Sequence, residues 1–186
     1  VHQMDKESGW SIQGTTGVLA WCNEVAALPV RNHRKTHHPD AWKVDGERLN
    51  NLRIATYGCP NCTMRCGITI NDSHGRESEL DYENIGLLGP NLEIFDFPQV
   101  AALNYQCDDY GIDTMSAGGV LSFYADAIDQ GAVQGDFKFG DAVKAQELLR
   151  QIAMREGKVG NLLAEGSLRA ARAIGKGSEA YAMQVK

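Results

Sequence analysis

Apolar residues recur at intervals of three and four through most of this chain, and short alternating runs appear mainly around one cysteine-rich loop. Val18, Leu19, Trp21, Cys22, Val25, Ala26 and Leu28 follow Gly14-Thr15-Thr16-Gly17 and predict a helix with one apolar face, ended by Pro29. Asp40 is placed to cap a short helix through Leu49, with Trp42 and Val44 pinning it to the body. Tyr82, Ile85, Leu87 and Leu88 predict a helix that carries Glu83 at its start and breaks at Gly89-Pro90. Asp96 and Pro98 are the cap and first-turn proline of a helix over 99–109, whose stripe is Val100, Leu103, Asn104 and Cys107, and Gly111 provides its left-handed end.

The same period continues over 114–130, where Gly118 and Gly119 point to close approach of another backbone or a ligand. Asp141 caps a helix to Glu156 with Val143, Leu148, Leu149, Ile152 and Ala153 inward, closed by Gly157. A last helix runs over 162–174 after Asn161 and ends at Gly175. Alternation is confined to 52–57, to 68–70 and to 181–185, the last reading as a strand. Residues 1–13 lack a period and read as a frayed lead-in. The fold class expected is therefore mainly α: a single multi-helix domain over 14–186 with at most a short β ribbon near the cysteine loop.

Composition narrows the function. A chain of 186 residues can bury a proper core, and its net charge of −6 argues against a nucleic-acid surface, which needs a cationic field. The basic cluster from Arg31 to His38 reads as a solvated loop. No apolar run is long enough to span a bilayer and no signal peptide opens the chain, so neither membrane insertion nor export is expected. Five cysteines, three of them bunched, do not form a disulfide framework and point to the cytoplasm. A start at Val1 and a strand-like run at the far end suggest a piece of a longer protein.

The bunched cysteines are Cys59-Pro60-Asn61-Cys62-Thr63-Met64-Arg65-Cys66, set between Gly58 and Gly67. Spacings of three and four suit a loop wrapped around a metal, because glycine lets the backbone turn its amides towards sulfur. Two metals compete. A [4Fe–4S] cluster commonly takes three local cysteines and a distant fourth, whereas structural zinc wants a second ligand pair. The zinc alternative, a non-enzymatic interaction module, draws on His33, His37, His38 and His74. Cys22 and Cys107 lie on apolar stripes and read as small buried hydrophobes.

Three motifs in order resemble the tungsten-containing aldehyde ferredoxin oxidoreductase family: the cysteine loop, Asp81-Tyr-Glu83-Asn-Ile-Gly-Leu-Leu-Gly-Pro-Asn-Leu92, and Asp108-Asp-Tyr-Gly111-Ile112-Asp113-Thr-Met-Ser116. The resemblance runs from about Gly14 to Lys186 and implies the helical middle domain of a longer enzyme. It implies that Cys59, Cys62 and Cys66 hold a [4Fe–4S] cluster, and that Asp108, Ile112 and Asp113 hold a tungstopterin or molybdopterin. Glu83 would then be the catalytic acid/base in the oxidation of an aldehyde to a carboxylate, with ferredoxin or a similar carrier taking the electrons.

The fourth cluster cysteine, a catalytic histidine and a second pterin corner would come from other domains of the parent. The resemblance also admits a homo-oligomer, though Val100 to Gln106 offers no carboxylate for the metal bridge some members use between subunits. Relatives that reduce aromatic thioesters make that reaction the alternative within the family.

Overall fold

The computed structural model describes residues 9–183. Its centre is a set of helix–helix contacts. Helix α4 (Tyr82–Leu88) packs on α6 (Thr114–Asp129), and α5 (Phe97–Tyr110) packs on α7 (Ala142–Met154) and on the strand Glu77–Leu80. Phe97, Leu103, Leu121, Phe123, Leu149 and Phe137 fill the core between them. Capping follows sequence chemistry: the Asp96, Asp113 and Asp141 carboxylates accept from the amides of Gln99, Ser116 and Lys144, and Gly111 ends α5 at φ 66°.

A three-stranded antiparallel sheet lies beside the helices in the order β1 (Ala55–Tyr57), β2 (Gly67–Asn71), β3 (Glu77–Leu80). Thr56 pairs with Ile68, and Ile68 pairs with Leu80. The ribbon around the cysteine loop is as expected. The third strand is not: the acidic run hides an alternation in which Ser78 and Leu80 turn inward while Glu77 faces water and Glu79 is half-buried.

Several helix boundaries differ from the sequence pattern. Residues 9–13 form a short helix, α1 (Gly9–Gln13), where a frayed lead-in was expected, and the rest of that lead-in lies outside the described residues. Helix α2 (Val18–Glu24) stops four residues before Leu28, because Ala26 turns left-handed at φ 56° and the Ala27 amide closes onto the Cys22 carbonyl. Its buried face is only Leu19 and Cys22, and Trp21 is 61% exposed. Asp40 caps no continuous helix. A 3₁₀ turn (Ala41–Val44) comes first, and Asp45 then caps α3 (Gly46–Leu52) by accepting from the Arg48 amide, with Val44 buried and Trp42 turned outward.

Val143 also faces solvent, at 79% exposure, because α7 is aligned by Ala142, Ala145, Leu148, Leu149 and Ile152. The expected last helix is two helices, α8 (Gly157–Leu163) and α9 (Ser167–Ile174), separated at Gly166 with φ 84°. The alternating run at the end begins as a 3₁₀ turn (Ser178–Tyr181), with Tyr181 packed on Phe123, and residues 184–186 lie outside the described residues. Among the described residues no helix is long and apolar enough to cross a membrane.

Candidate functional site

The cysteine loop is the connection between β1 and β2, at one edge of the sheet. Cys59 and Cys62 are exposed and Cys66 is half-buried; none is in a disulfide. A turn brings the Cys62 amide to the Cys59 carbonyl at 2.9 Å. Asn61 and Arg65 take positive φ of 62° and 48°, and the Arg65 guanidinium ties the loop to the Thr56 carbonyl at 3.1 Å. Gly14 is required beneath the loop: at φ 60°, a Cβ there would drive into the Cys66 carbonyl. Among the described residues no three His, Cys, Asp or Glu side chains converge tightly enough to hold a metal ion. His74, the next imidazole along the chain, lies 3.1 Å from the Gln146 amide oxygen.

Carboxylates gather behind Cys66. Burial pushes the Cys66 thiol up, and the charges of Asp81, Cys62 and Cys59 add to the rise. Glu79 is raised by burial first and then by Asp81 and Asp108, while Asp108 is raised by burial. A Cβ at Gly67 would strike the Glu79 carboxylate, so the backbone directly after Cys66 lies against it. Cys66, Glu79, Asp81 and Asp108 thus form one electrostatically linked edge. Asp81 is held there by Thr15, whose hydroxyl donates to its Oδ1 at 3.1 Å and accepts from the Tyr82 amide at 2.9 Å.

The Asp108–Asp113 corner is built by the end of α5. The Gly111 amide closes on the Asp108 carbonyl, and the Ile112 amide closes on the Cys107 carbonyl at 2.8 Å. Asp113 caps α6, accepting from both the amide and the hydroxyl of Ser116. Ile112 is half-buried against the core. Cys107 is fully buried, its thiol pushed up to about 12 by burial and by the charges of Asp108 and Asp113. Asn104, one turn before Asp108, donates to the Glu79 carbonyl at 2.9 Å and reaches Asp108 Oδ2 at 3.2 Å.

Glu83 stands exposed in the first turn of α4. Its neighbour Tyr82 has its phenol raised by burial, by Cys22 and by the charge of Glu83. Glu83 is therefore near the linked edge in sequence, yet no described contact ties its carboxylate to Cys66 or Asp108.

Two observations fit this edge to an iron–sulfur cluster and a pterin. The Cys66 thiol, raised by burial and by the charges of Asp81, Cys62 and Cys59, gains from a cation that it can share with those two free thiols. Asn104 Oδ1 is buried with no hydrogen-bond partner beside Asp108, an acceptor suited to an N–H donor from a heterocycle. Glu79 and Asn104 were missed as site residues in the sequence; the alternation of Glu77–Leu80 is the signal that could have placed Glu79.

The chain matches, over residues 1–186, the sequence family described as aldehyde ferredoxin oxidoreductase, domains 2 and 3. It is 31% identical over 175 residues to a tungsten-containing aldehyde ferredoxin oxidoreductase of Pyrococcus furiosus, covering 87% of this chain and 28% of that protein. An aliphatic sulfonate oxidoreductase, WOR-like subunit, of the same organism is 31% identical over 185 residues, covering 88% of this chain and 28% of its own. The chain thus spans less than a third of the length of these curated relatives. Among solved structures, the active-site complex BamBC of benzoyl coenzyme A reductase, with 1,5-dienoyl-CoA, superposes with a TM-score of 0.68 at 22% identity. That match covers 98% of this chain and 26% of the other, and shows a shared fold. On the match along its whole length, the chain belongs to the aldehyde ferredoxin oxidoreductase family.

Proposed function

We propose that this chain is the cluster-bearing and pterin-contacting domain of an aldehyde:ferredoxin oxidoreductase, working in the cytoplasm with the remaining domains of its parent. The observation that carries this reading is the linked edge of a member of an oxidoreductase family: Cys66 feels the charges of Cys59, Cys62 and Asp81, Glu79 feels those of Asp81 and Asp108, and Asn104, bonded to Asp108, keeps a buried oxygen without a partner. Cys59, Cys62 and Cys66 supply three thiolates to a [4Fe–4S] cluster, with the fourth ligand from another part of the parent. Asp108 and Asn104 Oδ1 accept from the pterin's N–H groups. The Ile112 carbonyl offers a main-chain contact, its amide being spent on Cys107. Asp113 orders the start of α6 through Ser116, and its charge, like that of Asp108, is felt by Cys107.

A bound tungsten or molybdenum pterin would supply the two-electron chemistry, and a cluster held by Cys59, Cys62 and Cys66 would supply a one-electron path to ferredoxin. The aldehyde takes up water and leaves as a carboxylate, releasing two electrons and three protons. Glu83 would take a proton from the substrate side; its exposure at the head of a helix whose start is bonded through Asp81 to Thr15 supports that role. The backbone behind Cys66 is held against Gly14, so the loop closes on metal from a fixed end.

The test is the full-length parent, prepared anaerobically and assayed for aldehyde-dependent reduction of ferredoxin. Glu83→Gln is expected to lower kcat by about 10²–10⁴ while iron and tungsten content stay at the wild-type level. Wild-type turnover in that variant would remove Glu83 from the reaction, and a parent holding zinc with no iron would remove the reading as a whole.

A further inference from the structure

A cleft of about 640 Å³ opens between α4, α6 and the segment 165–172, a volume within the range of small-molecule sites. Leu87, Met115 and Leu168 give it an apolar wall, and His33, Arg169 and Arg172 give it polar ones. The chain carries a net charge of −6, yet the charged residues lining this cleft are two arginines against the single Glu165. Neither guanidinium is fully engaged. Arg169 reaches Glu165, and Arg172 reaches Glu179, only at 3.4 Å, whereas Glu165 makes its shorter bond, 2.8 Å, to Arg155. Gly166 leaves the first-turn amides of α9 without a side-chain cap at the same wall, adding a partial positive charge.

The His33 side of the cleft is built at a conformational cost. Arg31, Asn32 and His33 are successive non-glycine residues at φ 51°, 52° and 57°, a left-handed turn that costs on the order of 1–3 kcal/mol per residue. Bonds to distant residues hold it, the one from Asn32 buried. Asn32 donates to Asp126 Oδ2 at 2.9 Å, the His33 amide donates to Asn91 Oδ1 at 3.0 Å, and Arg31 pairs with Glu93 and Asp129. The outcome of that turn is His33 at the cleft, with its pKa lowered by burial.

We propose that this cleft binds a small organic monocarboxylate, its anion on Arg169 and Arg172, its body against Leu87, Met115 and Leu168, and the His33 imidazole beside it. Paired guanidiniums recognise a carboxylate through parallel N–H bonds that a neutral isostere cannot return. The inference rests on the proposed function, since aldehyde oxidation yields such an anion, and it names the ligand class of a site one helical turn from Glu83. Equilibrium dialysis of radiolabelled benzoate against the full-length enzyme tests it, with neutral benzamide as competitor.

Saturable binding of one benzoate per chain is expected, not displaced by benzamide, and weakened about tenfold for each of Arg169→Gln and Arg172→Gln, with Arg169→Lys recovering part of the loss. His33→Gln should weaken it less. Both arginines are exposed, so circular dichroism and iron content should match wild type in every variant. Cys62→Ser, expected to lose iron, should keep benzoate binding, which separates failure here from failure of the cluster assignment. No saturable binding, equal competition by benzamide, or wild-type affinity in both arginine variants would overturn the proposal.

Discussion

Gly118 and Gly119 are neighbours in one helix, and replacing each by alanine should have opposite effects. A Cβ built on Gly118 lies 2.5 Å from the Leu87 carbonyl oxygen and 2.7 Å from its carbon, so α4 and α6 would have to separate. A Cβ on Gly119 meets nothing within 4 Å. Both substitutions gain about 1 kcal/mol of helix propensity, which cancels in the comparison. The difference between them is the overpacking term, about 1–3 kcal/mol against a backbone that cannot fold away like a side chain. With a urea dependence of about 1–3 kcal/mol per molar, taken near 2, the midpoints should differ by about 0.5–1.5 M, Gly119→Ala the higher. Urea unfolding followed by far-UV circular dichroism measures this directly. Equal midpoints would mean that α4 does not lie against α6 as described, and with it the placement of Glu83 and Leu87 would be lost.

Glu79→Gln is a stability prediction with a pH sign. Burial, Asp81 and Asp108 raise the folded pKa of Glu79, so its contribution to stability is complete below about pH 4.5 and is lost as pH rises through the folded value. The variant should match wild type at pH 4 and show the higher urea midpoint at pH 8, and a lower midpoint at pH 8 would contradict the repulsion assigned to this edge. Asp72 runs the other way. Burial would raise its carboxyl, but bonds from the Arg76 amide and guanidinium and from the His74 amide hold it below the usual range. Its support is therefore present above about pH 3.8 and lost as pH falls through the folded value. Asp72→Asn should cost about 2–3 kcal/mol at pH 7, because a buried acceptor with several donors is replaced by an amide with one acceptor oxygen, and a loss under 0.5 kcal/mol in the same unfolding assay would refute that.

Much of this was legible in the chain where local chemistry decides. Asp96, Asp141 and Gly111 mark their helix ends because a cap is a bond within a few residues. The reading failed where distant packing decides. Trp21, Trp42 and Val143 fit an apolar stripe yet face outward, since a stripe does not say how wide a face its partner covers. Of the two glycines read as a close approach, only Gly118 makes one.

The candidate site divides in the same way. The cysteine loop and the Asp108–Asp113 corner are contiguous motifs and could be read directly. Glu79 and Asn104 join them only through the pairing of β2 with β3 and the packing of α5 on β3, which no local spacing encodes. The cleft at His33 depends on contacts spanning more than half the chain.

Iron and acid-labile sulfide per chain, measured in the anaerobically purified full-length enzyme and in its Cys62→Ser variant, test the cluster assignment most directly. The account predicts about four of each per chain in wild type and a loss of most of both in the variant, with the far-UV spectrum unchanged. Iron retained at the wild-type level in Cys62→Ser, or zinc in place of iron in wild type, would contradict it.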